Sequence, residues 1–126
     1  MIVAGFGFRE GATLASLEGA LRAAAHDSLS VAALATLDSK ADQLAPLARK
    51  LGLPLLQVAR ETLARQSVVT HSPMSEAIHG TGSVAEATAL AAAGPAARLL
   101  SPRHVSPDRL ATCALAASNF HERQPA

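Results

Sequence analysis

Three features of the amino-acid order predict an α/β fold. The expected arrangement has three layers: a mostly parallel sheet of about five strands, helices on both faces, and a C-terminal antiparallel hairpin. Short apolar runs of strand length alternate with stretches in which leucines recur at helical spacing. The first run breaks directly into glycines and a helical pattern, the order that builds ligand sites at the carboxyl ends of parallel strands. The last two runs are separated by a turn around Ser106-Pro107-Asp108. That is too short for a crossover, so they should pair antiparallel.

Taken in order, Ile2-Val3-Ala4-Gly5-Phe6-Gly7-Phe8-Arg9-Glu10-Gly11 reads as a buried strand running into a turn. Gly5 and Gly7 permit positive φ and close backbone approach to a ligand, or simply ease the chain out of the strand. Arg9 supplies a planar cation suited to carboxylates. The glycine spacing G-x-G-x-x-x-G is one residue longer than the dinucleotide fingerprint, and no Walker Gly-Lys-Ser/Thr occurs. Leu14, Leu17 and Leu21 predict a helix from about Thr13 to about Ala25, closed by Asp27 and Ser28, with Glu18 and Arg22 paired on its exposed side. Free N–H groups at its start attract anions.

Ser30 to Ala35 predicts a second strand, and Thr36-Leu37-Asp38-Ser39-Lys40-Ala41-Asp42 gathers polar groups where it meets the next helix. Asp42 is the expected N-cap of that helix. Leu44, Leu47, Ala48 and Leu51 form its buried face, Pro46 falls in its first turns, and Gly52 ends it. Leu53 to Val58 is the third strand, and a short helix begins at Arg60. Ser72-Pro73 suits an N-cap and first helical residue. Ser83-Val84-Ala85-Glu86 fits a capping box at the head of an alanine-rich helix that stops at Gly94-Pro95. Ala97 to Leu100 and Arg109 to Leu115 are the last strands, and the tail from Asn119 is polar.

The length of 126 residues bounds the chain to one domain over residues 1–126. Apolar residues make up 49% of it, much of that alanine, whose small side chain lets helices approach a sheet closely. A net charge of +1 with three Phe and no Trp or Tyr gives neither the electrostatics nor the stacking surface for a nucleic-acid partner. No apolar run is long enough to span a bilayer, and no signal peptide is evident, so a cytoplasmic domain with no membrane partner is expected. The lone Cys113 cannot form an internal disulfide and fits a reducing compartment.

Three junctions gather polar residues: Gly5 to Gly11, Thr36 to Asp42, and Ser72 to Glu86. Asp38 and Lys40 suit an acid/base pair or ligand anchors, and equally a local ion pair or cap. The capping box accounts for Glu86. Ser75 lacks a G-x-S-x-G context and is a poor nucleophile. The five histidines (His26, His71, His79, His104, His121) show no metal-ligand spacing and one cysteine is too few for a structural zinc site, so no metal is expected; no cofactor is expected either.

Six blocks in order resemble one family, the CobE/CbiG C-terminal domain family of cobalamin biosynthesis. They are Gly5-Phe6-Gly7-Phe8-Arg9-Glu10-Gly11, Leu34 to Asp42, Leu51-Gly52-Leu53-Pro54-Leu55, Pro73-Met74-Ser75-Glu76, Gly82 to Ala87, and Thr112-Cys113-Ala114-Leu115-Ala116. The Ala-Thr-Leu-Asp-Ser-Lys-Ala-Asp block is the most specific. Two positions depart from the family pattern: Gln43 stands where an acid is common, and Ser101-Pro102-Arg103 where a lysine is common.

The resemblance implies work on corrin-ring assembly, in the stand-alone CobE-like form of the aerobic pathway. A precorrin or hydrogenobyrinic-acid-type tetrapyrrole is the implied partner, and other pathway enzymes are possible partners. Ligand binding is then expected from Gly5, Gly7, Arg9, Thr36, Asp38, Lys40, Ser75, Glu76, Gly82 and Glu86. Gly5, Arg9, Asp38, Lys40, Ser75 and Glu86 are expected around a single pocket. Two main roles follow, a carrier of the intermediate or a hydrolase-like enzyme with Asp38 or Glu86 as general base. Docking on a pathway methyltransferase is a third.

Overall fold

The computed structural model describes residues 1–25 and 30–118. In chain order the elements are β1 (Ile2–Phe8), α1 (Leu14–Ala24), β2 (Ala33–Leu37), a 3₁₀ turn (Asp38–Lys40), α2 (Ala41–Leu51), β3 (Leu55–Val58), α3 (Arg60–Leu63), α4 (Pro73–His79), α5 (Val84–Ala93), β4 (Arg98–Val105) and β5 (Ala111–Ala117). The sheet order is β3-β2-β1-β5-β4. β1, β2 and β3 pair in parallel, whereas β5 runs antiparallel to both β1 and β4. Four strands therefore share a direction and β5 alone is reversed. The expected α/β class, the strand number and the C-terminal hairpin are all present.

Alternation along β1 divides the molecule. Ala4 and Phe6 point into a cluster with Leu17, Leu34, Leu44, Leu47 and Leu115, under α1 and α2. Val3 points the other way, toward Ala35, Ala89 and Ala116 under α5. Leu37, Val58, Leu63 and Ala87 extend this second layer toward α3. A Cβ on Gly5 would stand 2.2 Å from the Ala85 carbonyl oxygen and 2.5 Å from the Ala89 nitrogen, so α5 rests directly on β1 there. Gly5 and Gly7 do not use the positive φ that glycine permits, since both lie in strand β1. Glycine is needed at Gly5 because a helix occupies the space of its side chain.

Local signals set most element ends. Thr13 caps α1 and forms a reciprocal box with Ser16, and Gly52 ends α2 with φ 69°. Several boundaries moved. The second strand starts at Ala33 rather than Ser30, and β4 runs on to Val105 through register shifts beside Pro102. An edge strand tolerates both proline and bulges because one side has no partner to lose. Asp42 does not cap α2; Lys40 occupies that position and Asp42 sits in the first turn, because the preceding 3₁₀ turn already supplies the helical lead-in. Pro46 lies inside α2, past its first turn. Glu18 pairs with Lys50 of α2 at 2.5 Å rather than with Arg22, because α1 and α2 lie side by side. The expected helix closure at Asp27-Ser28, the polar tail from Asn119, and His26 and His121 lie outside the described residues.

Candidate functional site

A cleft of about 630 Å³ opens at the carboxyl end of β1. Gly7, Phe8 and Arg9 form one side, and Arg103 and Val105 from the end of β4 another. Lys40 enters from the 3₁₀ turn after β2, and Ser83 and Val84 from the head of α5. Ser72, Met74, Ser75, Ile78 and His79 supply the α4 wall, and the β4–β5 turn adds Asp108, Arg109 and Leu110. Among the described residues, apolar surface thus alternates with four permanent cations and a single carboxylate.

Each wall has a local cause. The Thr112 hydroxyl donates to the Gly7 carbonyl at 3.0 Å, and the Arg9 N–H donates to the Leu110 carbonyl at 3.0 Å, which locks the β4–β5 turn to the end of β1. Asp108 organises that turn. It accepts from Ser106 Oγ at 2.6 Å, from the Leu110 N–H at 3.1 Å, and from Ser16 Oγ in α1 at 2.5 Å. The Ser106 hydroxyl first, then Ser16 and the Leu110 N–H, hold its carboxyl below the usual carboxylate range. Arg109 follows in the left-handed region, φ 64°, which a non-glycine residue adopts at a cost of about 1 kcal/mol. Lys40 Nζ stands 5.4 Å from the centroid of the Phe8 ring.

The α4 wall is lightly built. None of its residues is fully buried; Met74 is 65% and Ile78 52% exposed. Ser72 caps it by accepting from the Ser75 N–H at 3.3 Å, and Ser72 N–H donates to the Gly82 carbonyl at 3.0 Å. Arg60 Nη2 donates to the Ile78 carbonyl at 2.6 Å. Ser75 Oγ is shut off from water and finds no partner among the described residues. His79 is held below its ordinary 6.5, first by burial and then by the Arg60 and Lys40 charges, which favours its neutral imidazole.

Glu86 is fully buried in the first turn of α5. Its N–H does donate to Ser83 Oγ at 3.1 Å, the forward half of the expected capping box. Its carboxylate does something else. Oε1 accepts from the backbone N–H groups of Val69 (2.8 Å) and Thr70 (3.0 Å). Oε2 accepts from Thr70 Oγ1 (2.6 Å) and the Arg103 N–H (2.8 Å). Burial pushes this carboxyl up, but the Thr70 hydroxyl and the three backbone donors outweigh it, and the net shift is downward.

Of the residues expected at the site, Gly7, Arg9, Lys40 and Ser75 line the cleft. Gly5, Thr36, Asp38, Glu76, Gly82 and Glu86 do not. Gly5 lies under α5. Thr36 is buried in β2 and donates to the Phe6 carbonyl at 2.9 Å. Asp38 is exposed at the head of the 3₁₀ turn. Glu76 faces outward, 3.5 Å from His71 Nδ1. A Cβ on Gly82 would stand 2.4 Å from the Thr70 carbonyl oxygen, so Gly82 packs against the loop before α4. Lys40 and Arg9 do share one edge of the sheet. Arg103, Asp108 and Arg109 join the site because the pairing of β5 with β1 and β4 brings the end of β4 and the hairpin turn to the end of β1, and His79 joins it from the last turn of α4.

Among the described residues no group of three or more His, Cys, Asp or Glu could hold a metal ion. The Cys113 thiol is buried and its ionisation is pushed up by desolvation, so it is inert. No helix among the described residues is long and apolar enough to cross a membrane.

Residues 2–116 match the family model described as cobalamin synthesis G C-terminus. The chain superposes on the crystal structure of CobE, a protein from the cobalamin (vitamin B12) biosynthetic pathway, with a TM-score of 0.81 and 31% identity over 92% of this chain and 89% of that one. Cobalamin biosynthesis protein chiG from Agrobacterium tumefaciens gives a TM-score of 0.70 at 36% identity, covering 94% and 98% of the two chains. A cobalamin biosynthesis protein G homolog from Sulfolobus solfataricus shares the fold at 18% identity, TM-score 0.70, over 91% of this chain but 36% of its own. No curated protein matches the chain. The family match across nearly the whole domain, together with these two neighbours above thirty per cent identity, leads to one conclusion: the chain belongs to the cobalamin synthesis G C-terminus family and is a cobalamin-biosynthesis protein of the CobE/CbiG type.

Proposed function

We propose that this protein binds a precorrin- or hydrogenobyrinic-acid-type tetrapyrrole in the cleft, and holds or hands on that intermediate without transforming it. The supporting observation is the pairing of apolar walls with a cationic rim. Phe8, Met74, Ile78, Val84 and Leu110 offer apolar contact, and Arg9, Lys40, Arg103 and Arg109 surround them. Asp108, the one carboxylate among them, is already engaged by two hydroxyls and a backbone N–H. A flat apolar macrocycle fringed with carboxylates matches that distribution, because guanidinium groups bind carboxylates in bidentate pairs. Ser83 and Val84 bring the positive end of α5 to the cleft, which favours anionic groups there. The cleft's 630 Å³ falls within the roughly 300–1,000 Å³ of ordinary small-molecule sites.

A hydrolase needs a free general base. Both oxygens of Glu86 are engaged by four donors, and Asp38 lies outside the cleft. Neither carboxylate expected as a base is available, which favours carriage; the imidazole of His79 is the base that does line the cleft, and turnover that His79→Gln abolishes would restore the enzyme reading.

The test is an anaerobic absorbance titration with late precorrins and hydrogenobyrinic acid, followed by product analysis of the same samples. Stoichiometric binding is expected, with the macrocycle recovered intact. Arg9→Ala and Lys40→Ala should each weaken affinity by about tenfold, and added salt should weaken it further. A new product formed catalytically would replace the carrier with an enzyme. No binding to any member of the series would remove both readings and leave docking on a partner enzyme.

A further inference from the structure

We infer that Glu86 is a positioning residue: its buried carboxylate sets the gap between the two walls of the cleft without touching what the cleft holds. The helix of Glu86, α5, is fixed against β1 at Gly5, where the Ala85 carbonyl and the Ala89 nitrogen fill the space of a side chain. From this rigid base the carboxylate reaches two segments that are remote from each other in sequence. Oε1 takes the Val69 and Thr70 N–H groups, in the loop that leads through Ser72 into α4. Oε2 takes the Thr70 hydroxyl and the Arg103 N–H, and Arg103 belongs to the β4 wall. One side chain thus holds both walls to one helix.

The α4 wall needs such an anchor, because it buries no residue of its own and leaves Ser75 Oγ unpartnered. Gly82 sits tight against the Thr70 carbonyl, which passes the position of residue 70 to the far end of α4. The need for a carboxylate, rather than an amide, follows from the donor count. All four partners donate, and a carboxylate accepts at both oxygens. A glutamine of the same shape accepts at only one. Its NH₂ group would face an N–H of one wall, and that wall would be released.

The experiment measures the gap directly. Spin labels are placed through Glu76→Cys on α4 and Pro102→Cys on β4; neither residue lines the cleft, and Cys113 is buried and escapes labelling. The labelled protein is expected to give one narrow distance distribution, and the same pair in a Glu86→Gln background a broadened or displaced one. Affinity for hydrogenobyrinic acid should fall by about tenfold with the helical signal unchanged. An unchanged distance distribution in folded Glu86→Gln overturns the inference. If that variant does not fold, Thr70→Val replaces it, and removing one of the four donors must still broaden the distribution; an unchanged one is again fatal. The affinity arm rests on the tetrapyrrole reading, the distance arm does not. A widened gap with no change in affinity would uphold Glu86 and count against the cleft as the tetrapyrrole site.

Discussion

The two faces of the sheet are built on opposite plans. Under α1 and α2 the contacts are made by Phe6, Leu17, Leu34, Leu44, Leu47 and Leu115. Under α5 they are made by Val3, Ala33, Ala35, Ala89 and Ala116, with a glycine where the helix touches β1. The leucine face carries most of the large buried apolar side chains and so most of the burial energy. The alanine face gives up volume for proximity. Its helix comes close enough for its first turn to enter the cleft and for Glu86 to reach β4 and the loop at residue 70. One face stabilises the domain and the other places the site.

The largest effect that can break this comparison is Gly5→Ala. Its Cβ would meet backbone atoms of α5 that cannot rotate away, so the helix must shift. Stability should fall by about 3 kcal/mol or more, and affinity for hydrogenobyrinic acid with it. Leu44→Ala on the other face should cost a comparable 3 kcal/mol or so by leaving a cavity, yet leave affinity unchanged at temperatures where the variant is folded. Urea midpoints and the absorbance titration, run on both variants, decide the matter. Equal losses of affinity would mean the faces are not separable.

Acid sharpens the contrast. The folded value of His79 is below 6.5, so as pH falls the unfolded chain takes up its proton first. The stability it contributes is present above 6.5 and declines as pH drops toward the folded value. Glu86, lowered from 4.5, follows the same sign further down: full contribution above 4.5, loss as pH falls through its folded value. Both act on the α4 and α5 side. Amide protection, measured against the intrinsic exchange rate at each pH, should therefore fall in residues 69–79 before it does in α1 and α2 as pH is lowered from 7.5 to 5.5. His79→Gln should flatten that early decline with little change at pH 7.5.

The smallest effect expected is at the surface of the leucine face. Lys50→Ala removes the 2.5 Å contact with Glu18 between α1 and α2. Lys50 is 56% exposed, so solvent screens the pair, and urea midpoints should register no more than about 0.5 kcal/mol. A larger loss would show that the two helices depend on more than their leucines.

Much of the architecture was legible because its signals are short-range. A cap such as Thr13 or Ser72 acts on an N–H three residues away, and Gly52 ends its helix through its own φ. Leucines at helical spacing marked α1 and α2, and the short final turn marked the hairpin. Family membership was legible as well, from six blocks in a fixed order. The site was only partly so. Arg9 and Lys40 stand at the ends of adjacent parallel strands, which the element order already implied. Glu86 illustrates the limit. The S-x-x-E pattern correctly placed a helix start at Ser83, and it could say nothing of a carboxylate that turns away toward residues 69, 70 and 103.

The sequence by itself determined the alternation of strand and helix, the helix starts and stops, and the family, since each depends on neighbours in the chain or on their order. Only the tertiary structure decided that β5 inserts beside β1. That pairing carries Arg103, Asp108 and Arg109 to the cleft, turns Gly5 into a seat for α5, and gives Glu86 two walls to hold. The physical reason is distance along the chain: these contacts join residues tens of positions apart, and strand order, not local propensity, brings them together.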